Sequence, residues 1–145
     1  ISRRELWLIV HEMVASGVTV LVSTAYLDEA ERCDRVVMMH DGRALALDRP
    51  VALQASLDGS LPSLRTDRPR EARDLLRRSP SVGSATLFGD VVHALLPSGA
   101  DGDAPARALT EGGIAVLEVQ TIEPSLEDLF IHLVGSESLH DGPDA

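Results

Sequence analysis

Few side chains in this chain have both the type and the spacing that catalysis or metal binding requires. No two histidines form a His-x₃-His pair, and Cys33 has no second thiol as a zinc partner. Ser79, Ser81 and Ser84 have no neighbouring His and Asp that would activate a hydroxyl. We therefore expect no metal site and no catalytic residue here. The histidines, expected as surface or half-buried side chains, are His11, His40, His93, His132 and His140.

The stretch Val18–Ala46 is the most informative part of the sequence, VTVLVSTAYLDEAERCDRVVMMHDGRALA. It predicts a buried strand, a sharp polar turn that contains Ala25, a short acidic helix and a tight hairpin. Asp28 and Glu29 fall in the first turn of that helix, where the helix dipole favours negative charge. The acidic run that they form with Glu31 is either a solvated helix face or a docking face for a partner protein.

The composition is that of a globular, acidic protein. The 145 residues are 44% hydrophobic and 25% charged, and the net charge is -10, with arginine in place of every lysine. An acidic surface argues against nucleic acid as a partner, since phosphate binding needs clustered positive charge. A single cysteine excludes an intramolecular disulfide and fits a reducing cytosol. No stretch reaches the ~18 consecutive apolar residues of a membrane-spanning helix.

The first half of the chain has the element order of an α/β protein. Ser2 and Glu5 form a capping box that opens a helix over residues 2–16. An apolar stripe at helical spacing predicts the buried face of this helix. The β-branched run 18–24 predicts a strand covered on both faces, as in a parallel sheet. The stripe consists of Leu6, Ile9, Val10, Met13 and Val14.

A short helix, a hairpin and a modest helix follow this strand. The short helix covers Leu27–Cys33, with Cys33 as a small buried hydrophobe at its end. Asp41 and Gly42 form a strong two-residue turn signal between two short strands. A helix then opens at Pro50, and the cluster of Asp, Gly, Ser and Pro at 58–62 predicts a linker.

The second half predicts a different, α+β architecture. Its strands and helices alternate as β-α-β-β-α-β between Ser63 and Thr121, the order of a ferredoxin-like split βαβ fold. Ser125 then caps a last helix, with Asp128 at its third helical position. The expected organisation is a first domain over 1–57, a linker at 58–62, a ferredoxin-like domain over 63–134 and a disordered tail over 135–145.

Residues 1–57 resemble the C-terminal part of the nucleotide-binding core of ABC transporter ATPases. The resemblance lies in SRRELW at 2–7, DEAERCDRV at 28–36, the Asp-Gly hairpin turn and RALA at 43–46. The family's Walker A loop, signature motif and Walker B strand are not in the chain. The resemblance implies ATP and Mg²⁺ as cofactors of a longer parent ATPase, with neither bound and no hydrolysis by this chain alone. Since the chain opens on ISRRE, we expect it to begin inside that parent.

Ala25 stands at the position where related ATPases carry a switch histidine that reaches the γ-phosphate. A methyl group can neither donate a hydrogen bond nor carry charge. The resemblance therefore implies a degenerate nucleotide site, as in one half of proteins with two ATPase cassettes. The alternative is that the remainder of the site compensates and activity survives. On either interpretation, no catalytic or cofactor-binding residue is expected in the chain itself.

The segment EPSLEDLFIHL, Glu123–Leu133, looks like the C-terminal extension of exporter ATPases of the daunorubicin-resistance class. This resemblance implies a multidrug or related exporter in which the ATPase drives a separate ABC-2 type membrane subunit. It also implies dimerisation with a second ATP-binding cassette and a cytoplasmic location at the inner face of the cell membrane. The coupling helices of that membrane subunit would be the partner of a docking face at Asp28, Glu29 and Glu31.

A second hypothesis of a different class is a stand-alone regulatory or dimerisation module of ferredoxin-like fold. Such a module would bind a small ligand at a sheet edge or at a dimer interface. Ligand-induced thermal stabilisation would distinguish this module from a transport ATPase component, since a ligand of the folded state raises the melting temperature.

Overall fold

The structure is a computed structural model that describes residues 2–140, with only the backbone described for 137–140. The first half contains two helices, a hairpin and a third helix. These are α1 (Arg3–Ala15), α2 (Leu27–Ala30), β1 (Val36–His40), β2 (Arg43–Asp48) and α3 (Pro50–Ala55). The second half contains four strands and three helices. These are β3 (Leu61–Thr66), α4 (Pro69–Leu76), β4 (Ser84–Phe88), β5 (Val91–Leu95), α5 (Ala104–Glu111), β6 (Val116–Ile122) and α6 (Leu126–His140).

Helix α1 begins at the predicted capping box, but its predicted buried stripe is exposed. The Ser2 hydroxyl accepts from the backbone N–H of Glu5 at 3.2 Å, and the Glu5 carboxylate accepts from the N–H of Ser2 at 2.7 Å. The buried residue of this helix is Trp7, which borders the stripe on the side of Val10 and Val14. Within residues 2–140 no element covers the stripe, of which Leu6, Ile9, Met13 and Val14 are exposed.

The strand predicted over 18–24 is wrong for this structure, because these residues pair with no strand among those described. Leu21 is 98% exposed, and Val18 and Val22 are exposed as well. A β-branched run has the composition of a buried strand, but a strand also needs a neighbour to accept its backbone hydrogen bonds. Nothing in the described part of the chain supplies that neighbour.

The hairpin of β1 and β2 is confirmed. Its strands pair antiparallel from Val36 opposite Asp48 to His40 opposite Arg43. Asp41 and Gly42 have φ of 47° and 76°, so both central turn residues are left-handed, as the favoured hairpin turn requires. The pleat directs alternate side chains of β1 to opposite faces, which buries Val36 and Met38 and exposes Val37 and Met39.

The second half folds into a four-stranded antiparallel sheet in the order β4-β5-β3-β6. Helices α4 and α5 pack on one face of it. The sequence order β-α-β-β-α-β is the predicted one. The largest side chains of the core beneath these helices have no solvent exposure; they are Leu64, Leu76, Val92, Leu96 and Leu109.

Residues 58–62 are not a free linker throughout. Strand β3 begins at Leu61, two residues earlier than predicted, and Leu61 and Pro62 are buried. Ser60 forms an antiparallel bridge with Leu96. Gly59 has φ of 112°, and a Cβ there would lie 1.9 Å from the carbonyl oxygen of Leu96. The backbone at position 59 lies so close to the backbone of Leu96 that only glycine fits there.

The two halves share a second hydrophobic core on the other face of the sheet. Side chains from the hairpin, α3, β3 and α6 meet there. The residues before and after 58–62 therefore pack into one common core on this face of the sheet. The buried members of this shared core are Ala30, Val36, Met38, Leu53, Leu57, Leu61, Leu95, Leu126 and Leu129.

Helix α6 continues to His140, through residues 135–140 of the segment predicted as a disordered tail. Gly135 does not end the helix, since glycine costs only about 1 kcal/mol relative to alanine in a helix interior. Ser136 also bonds its hydroxyl back to the carbonyl oxygen of Leu133 at 2.8 Å. Residues 141–145 lie outside the described residues.

Candidate functional site

The loop around Ala25 is held by hydrogen bonds of its neighbours rather than by Ala25 itself. The Thr24 hydroxyl donates to the Glu29 carboxylate at 2.7 Å and accepts from the backbone N–H of Tyr26 at 3.0 Å. These two bonds set the turn immediately before α2. Ala25 is exposed at the tip of this turn.

Arg3 ties helix α1 to the same loop. Its guanidinium lies 3.5 Å from the centre of the Tyr26 ring, which is a cation–π arrangement. Its Nε is also 3.6 Å from a Glu29 carboxylate oxygen. Glu29 therefore joins the loop to α1 and α2.

The loop does not fit a phosphate group by its own side chains. The methyl group of Ala25 offers no donor, and the Thr24 hydroxyl already donates to Glu29. Among the described residues no group of three or more His, Cys, Asp or Glu side chains could hold a metal ion. Within residues 2–140 the side chains of this loop therefore offer a phosphate group no free hydroxyl donor.

Glu31 joins the acidic segment to the N-terminus of α6. One of its carboxylate oxygens accepts from the Gln54 side chain at 3.0 Å and from the backbone N–H of Leu126 at 3.3 Å. The first N–H groups of a helix have no partner within the helix, and negative charge there is stabilising. Neither interpretation of the acidic run predicted this contact, because Glu31 and Leu126 are 95 residues apart in sequence.

The predicted capping box at the start of α6 is confirmed. The backbone N–H of Asp128 donates to the Ser125 hydroxyl at 3.2 Å, and that of Ser125 donates to the Asp128 carboxylate at 2.9 Å. The other carboxylate oxygen of Asp128 lies 2.8 Å from Nδ1 of His93, on β5. The Phe88 ring stacks on His93 at 4.3 Å between centroids. Asp128 thereby fixes α6 to the sheet.

Asp128 is buried, yet its pKa is lowered. Burial raises the pKa of this carboxyl, but the hydrogen bonds from His93 and Ser125 and the charge of His93 lower it by more. The ionised form is therefore favoured in the folded protein. His93 was expected as one of several scattered histidines, and no local pattern in the sequence indicates that it would meet a carboxylate.

The group of Ser125, His93 and Asp128 does not have the arrangement of a catalytic triad. In a triad the serine hydroxyl bonds to the histidine, which accepts its proton. Here the Ser125 hydroxyl donates to Asp128 at 2.7 Å instead. The arrangement serves as a helix cap and a tie between helix and sheet. Cys33 is equally unsuited to nucleophilic chemistry, because burial and the charges of Asp34 and Glu29 raise the pKa of its thiol.

Comparison with known proteins places the chain among relatives of ABC transporter ATP-binding proteins, although no family model matches it. The probable multidrug ABC transporter ATP-binding protein YbhF of Escherichia coli K12 is 36% identical over 147 residues, which is 99% of this chain and 25% of that protein. The daunorubicin resistance ATP-binding protein DrrA2 of Streptomyces coeruleorubidus is 32% identical, with 92% and 44% covered. The Nod factor export ATP-binding protein I of Rhizobium leguminosarum bv. viciae is 29% identical, with 94% and 42% covered.

The chain is therefore homologous, over nearly its whole length, to the ATP-binding proteins of ABC transporters. The resemblance inferred from the SRRELW, DEAERCDRV and EPSLEDLF segments is confirmed. The chain spans only a quarter to less than half of the length of these relatives. Among residues 2–140 no helix has the length and apolar character needed to cross a bilayer.

Proposed function

We propose that this chain is the C-terminal part of the ATP-binding subunit of an ABC exporter. In the longer protein it would help to couple ATP binding and hydrolysis to transport across the membrane. The observation that carries the proposal is that the chain aligns along almost all of its length with exporter ATP-binding proteins. The Glu31–Leu126 contact supports it, since it joins the two segments that carry the resemblance into one structural unit.

We propose further that residues 61–122 form a ferredoxin-like domain. The strand order β4-β5-β3-β6 with both crossover helices on one face supports this assignment. Its proposed role is dimer contact or regulation between two ATP-binding cassettes. The proposed membrane partner is an ABC-2 type subunit, which would place the assembly at the inner face of the cell membrane.

ATP and Mg²⁺ are proposed as cofactors of the longer protein, held by residues outside this chain. Ala25 supports a degenerate nucleotide site there, because the position that should contact the γ-phosphate offers only a methyl group. The 145 residues alone are proposed not to hydrolyse ATP. The ligand-sensing module is less well supported, since these relatives are named as ATP-binding proteins of transporters or exporters.

The test uses the longer protein with Ala25 and with Ala25→His, purified in parallel with the 145-residue chain. Phosphate release is measured with ATP and Mg²⁺, and nucleotide binding with a fluorescent ATP analogue. The proposal expects nucleotide binding by the longer protein, a gain in turnover on introducing histidine, and no turnover by the chain alone. No gain in turnover would overturn the degenerate site, and no nucleotide binding by the longer protein would overturn the proposed function.

A further inference from the structure

The outer edge of β6 is an unpaired strand edge with the features of a self-pairing interface. Strand β6 lies at one end of the sheet order and pairs with β3 on one side only. Five of its seven residues are exposed, whereas the other edge strand, β4, has none that is exposed. An unprotected edge of this length presents free backbone donors and acceptors to another strand.

Strand β6 has little charge to block such pairing, and the irregularity in its pairing with β3 is a bulge at Leu117, near its N-terminal end. Proteins block exposed edges with lysine, with proline or with inward-pointing charges. The only charged residue of β6 is Glu118, and its carboxylate lies 3.3 Å from Nε of Arg65 within the same sheet. The strand is therefore close to neutral, although the whole chain has a net charge of -10.

The apolar row under the helices ends at this edge. In the sheet register Leu64 is opposite Val92 on one side and opposite Val119 on the other. Val92 and Leu64 have no solvent exposure, but Val119 is 42% exposed. Residues opposite each other in a sheet share a face, so Val119 is the uncovered end of a buried row.

We propose that a second copy of this chain pairs with it through β6, antiparallel and centred on Val119, to form a continuous eight-stranded sheet. This register places Val119 against Val119 and joins the two apolar rows. It places Glu118 opposite Gln120 of the second copy, so that the amide that already donates to Glu118 within its own strand at 2.6 Å also faces the carboxylate of the second copy. Leu117, which is 63% exposed and is the extra residue of the bulge against β3, then lies near Thr121 of the second copy. A parallel arrangement in register would instead oppose the two Glu118 carboxylates, which is repulsive.

This inference rests on the proposed pairing of two cassettes and assigns a contact to it. Its tests need neither nucleotide nor a membrane subunit. A negative result in these tests would therefore overturn the β6 contact alone. The ATP-dependent role is tested separately, by measuring ATP turnover.

The first test introduces charge at the centre of the proposed contact. The unmodified chain is expected to dimerise in analytical ultracentrifugation. Val119→Lys and Val119→Glu should each raise the dimer Kd at least about tenfold, because like charges would then be opposed across the two-fold axis. An equimolar mixture should restore dimers, detected as heterodimers by native mass spectrometry. Restoration excludes misfolding as the cause. The proposal would be overturned if the unmodified chain were monomeric or if the two variants dimerised as tightly as the unmodified chain. It would also be overturned if the equimolar mixture formed no heterodimers.

The second test maps the contact directly. Cys33 is the only cysteine, so Cys33→Ala gives a background free of thiols. Val119→Cys in that background should cross-link into dimers with a short bismaleimide. Val51→Cys is the matched control, since Val51 is 76% exposed on α3, away from this edge. Equal cross-linking at the two positions would overturn the assignment of the interface to β6.

Discussion

Glu31 and Leu126 are joined by a hydrogen bond of 3.3 Å from the backbone N–H of Leu126 to the Glu31 carboxylate. The contact joins the acidic segment after α2 to the first turn of α6. It lies at the edge of the core that the two halves share, beside the buried side chains of Leu126 and Leu129. The sequence patterns on either side of the supposed linker thus describe parts of one folded unit.

Glu31→Ala should destabilise the chain by about 1 kcal/mol, because the N–H of Leu126 and the Gln54 amide both lose their acceptor. Glu31→Gln should cost less, since the amide keeps an acceptor oxygen. The measurement is the free energy of unfolding in urea. Asp28→Ala is the matched control, because Asp28 is exposed in the same acidic run. An alanine variant at position 31 as stable as the parent would contradict a capping role for Glu31.

The lowered pKa of Asp128 predicts a loss of stability in acid. Because this carboxyl is ionised more readily in the folded than in the unfolded chain, the unfolded chain binds more protons at low pH. Its contribution is present above the ordinary carboxyl pKa of about 4 and is lost as pH falls through the lower folded value. Asp128→Asn should therefore flatten the decline of the unfolding free energy between about pH 5 and pH 3. Asp28→Asn controls for the loss of a surface carboxylate, and equal slopes in the two variants would contradict the prediction.

Gly59→Ala should destabilise the chain by about 2 kcal/mol or more, because φ of 112° strains any side chain and the new Cβ would meet the Leu96 carbonyl. The matched control is Gly102→Ala, where a Cβ would meet no atom within 4 Å. That substitution should change the urea midpoint by little. A small effect at position 59 would show that residues 58–60 can move away from β5 without loss, as a true linker would.

Features fixed by neighbouring residues were predictable from the sequence. The capping boxes at Ser2 and Ser125 and the Asp41-Gly42 turn depend on residues within three positions of each other, and all three are present. The tie between His93 and Asp128 was not predictable, because it joins residues 35 apart whose types are common in unrelated roles. Long-range contacts of single polar residues leave no periodic pattern in a sequence.

The run 18–24 has the composition of a strand, but the neighbouring strands that it would need are missing from the described residues. Its β-branched residues have the composition of a central strand, and the stripe on α1 has the spacing of a buried helix face. Both depend on neighbours that the described residues do not provide. The structure accordingly leaves Leu6, Ile9 and Leu21 in solvent while the rest of the chain packs normally.

This contrast predicts where amide hydrogen exchange will be fast. Residues 2–24 should exchange rapidly, because their apolar faces are exposed and residues 18–24 have no paired strand. Residues 36–134 should be protected, since the hairpin and α3 share a core with the sheet and α6. The boundary of protection is therefore expected near residue 25 and not at the linker predicted over 58–62.

Exchange is measured by mass spectrometry on the 145-residue chain and on the longer protein. Peptides from residues 2–24 should gain protection in the longer protein, where further structure can cover their apolar side chains. Peptides from β3 and β5 serve as the internal reference, because their core side chains are already buried and their protection should not change. Uniform protection across the isolated chain would show that α1 and residues 18–24 are stable without outside contacts. That result would remove the physical argument that they form a surface for another part of the proposed longer protein.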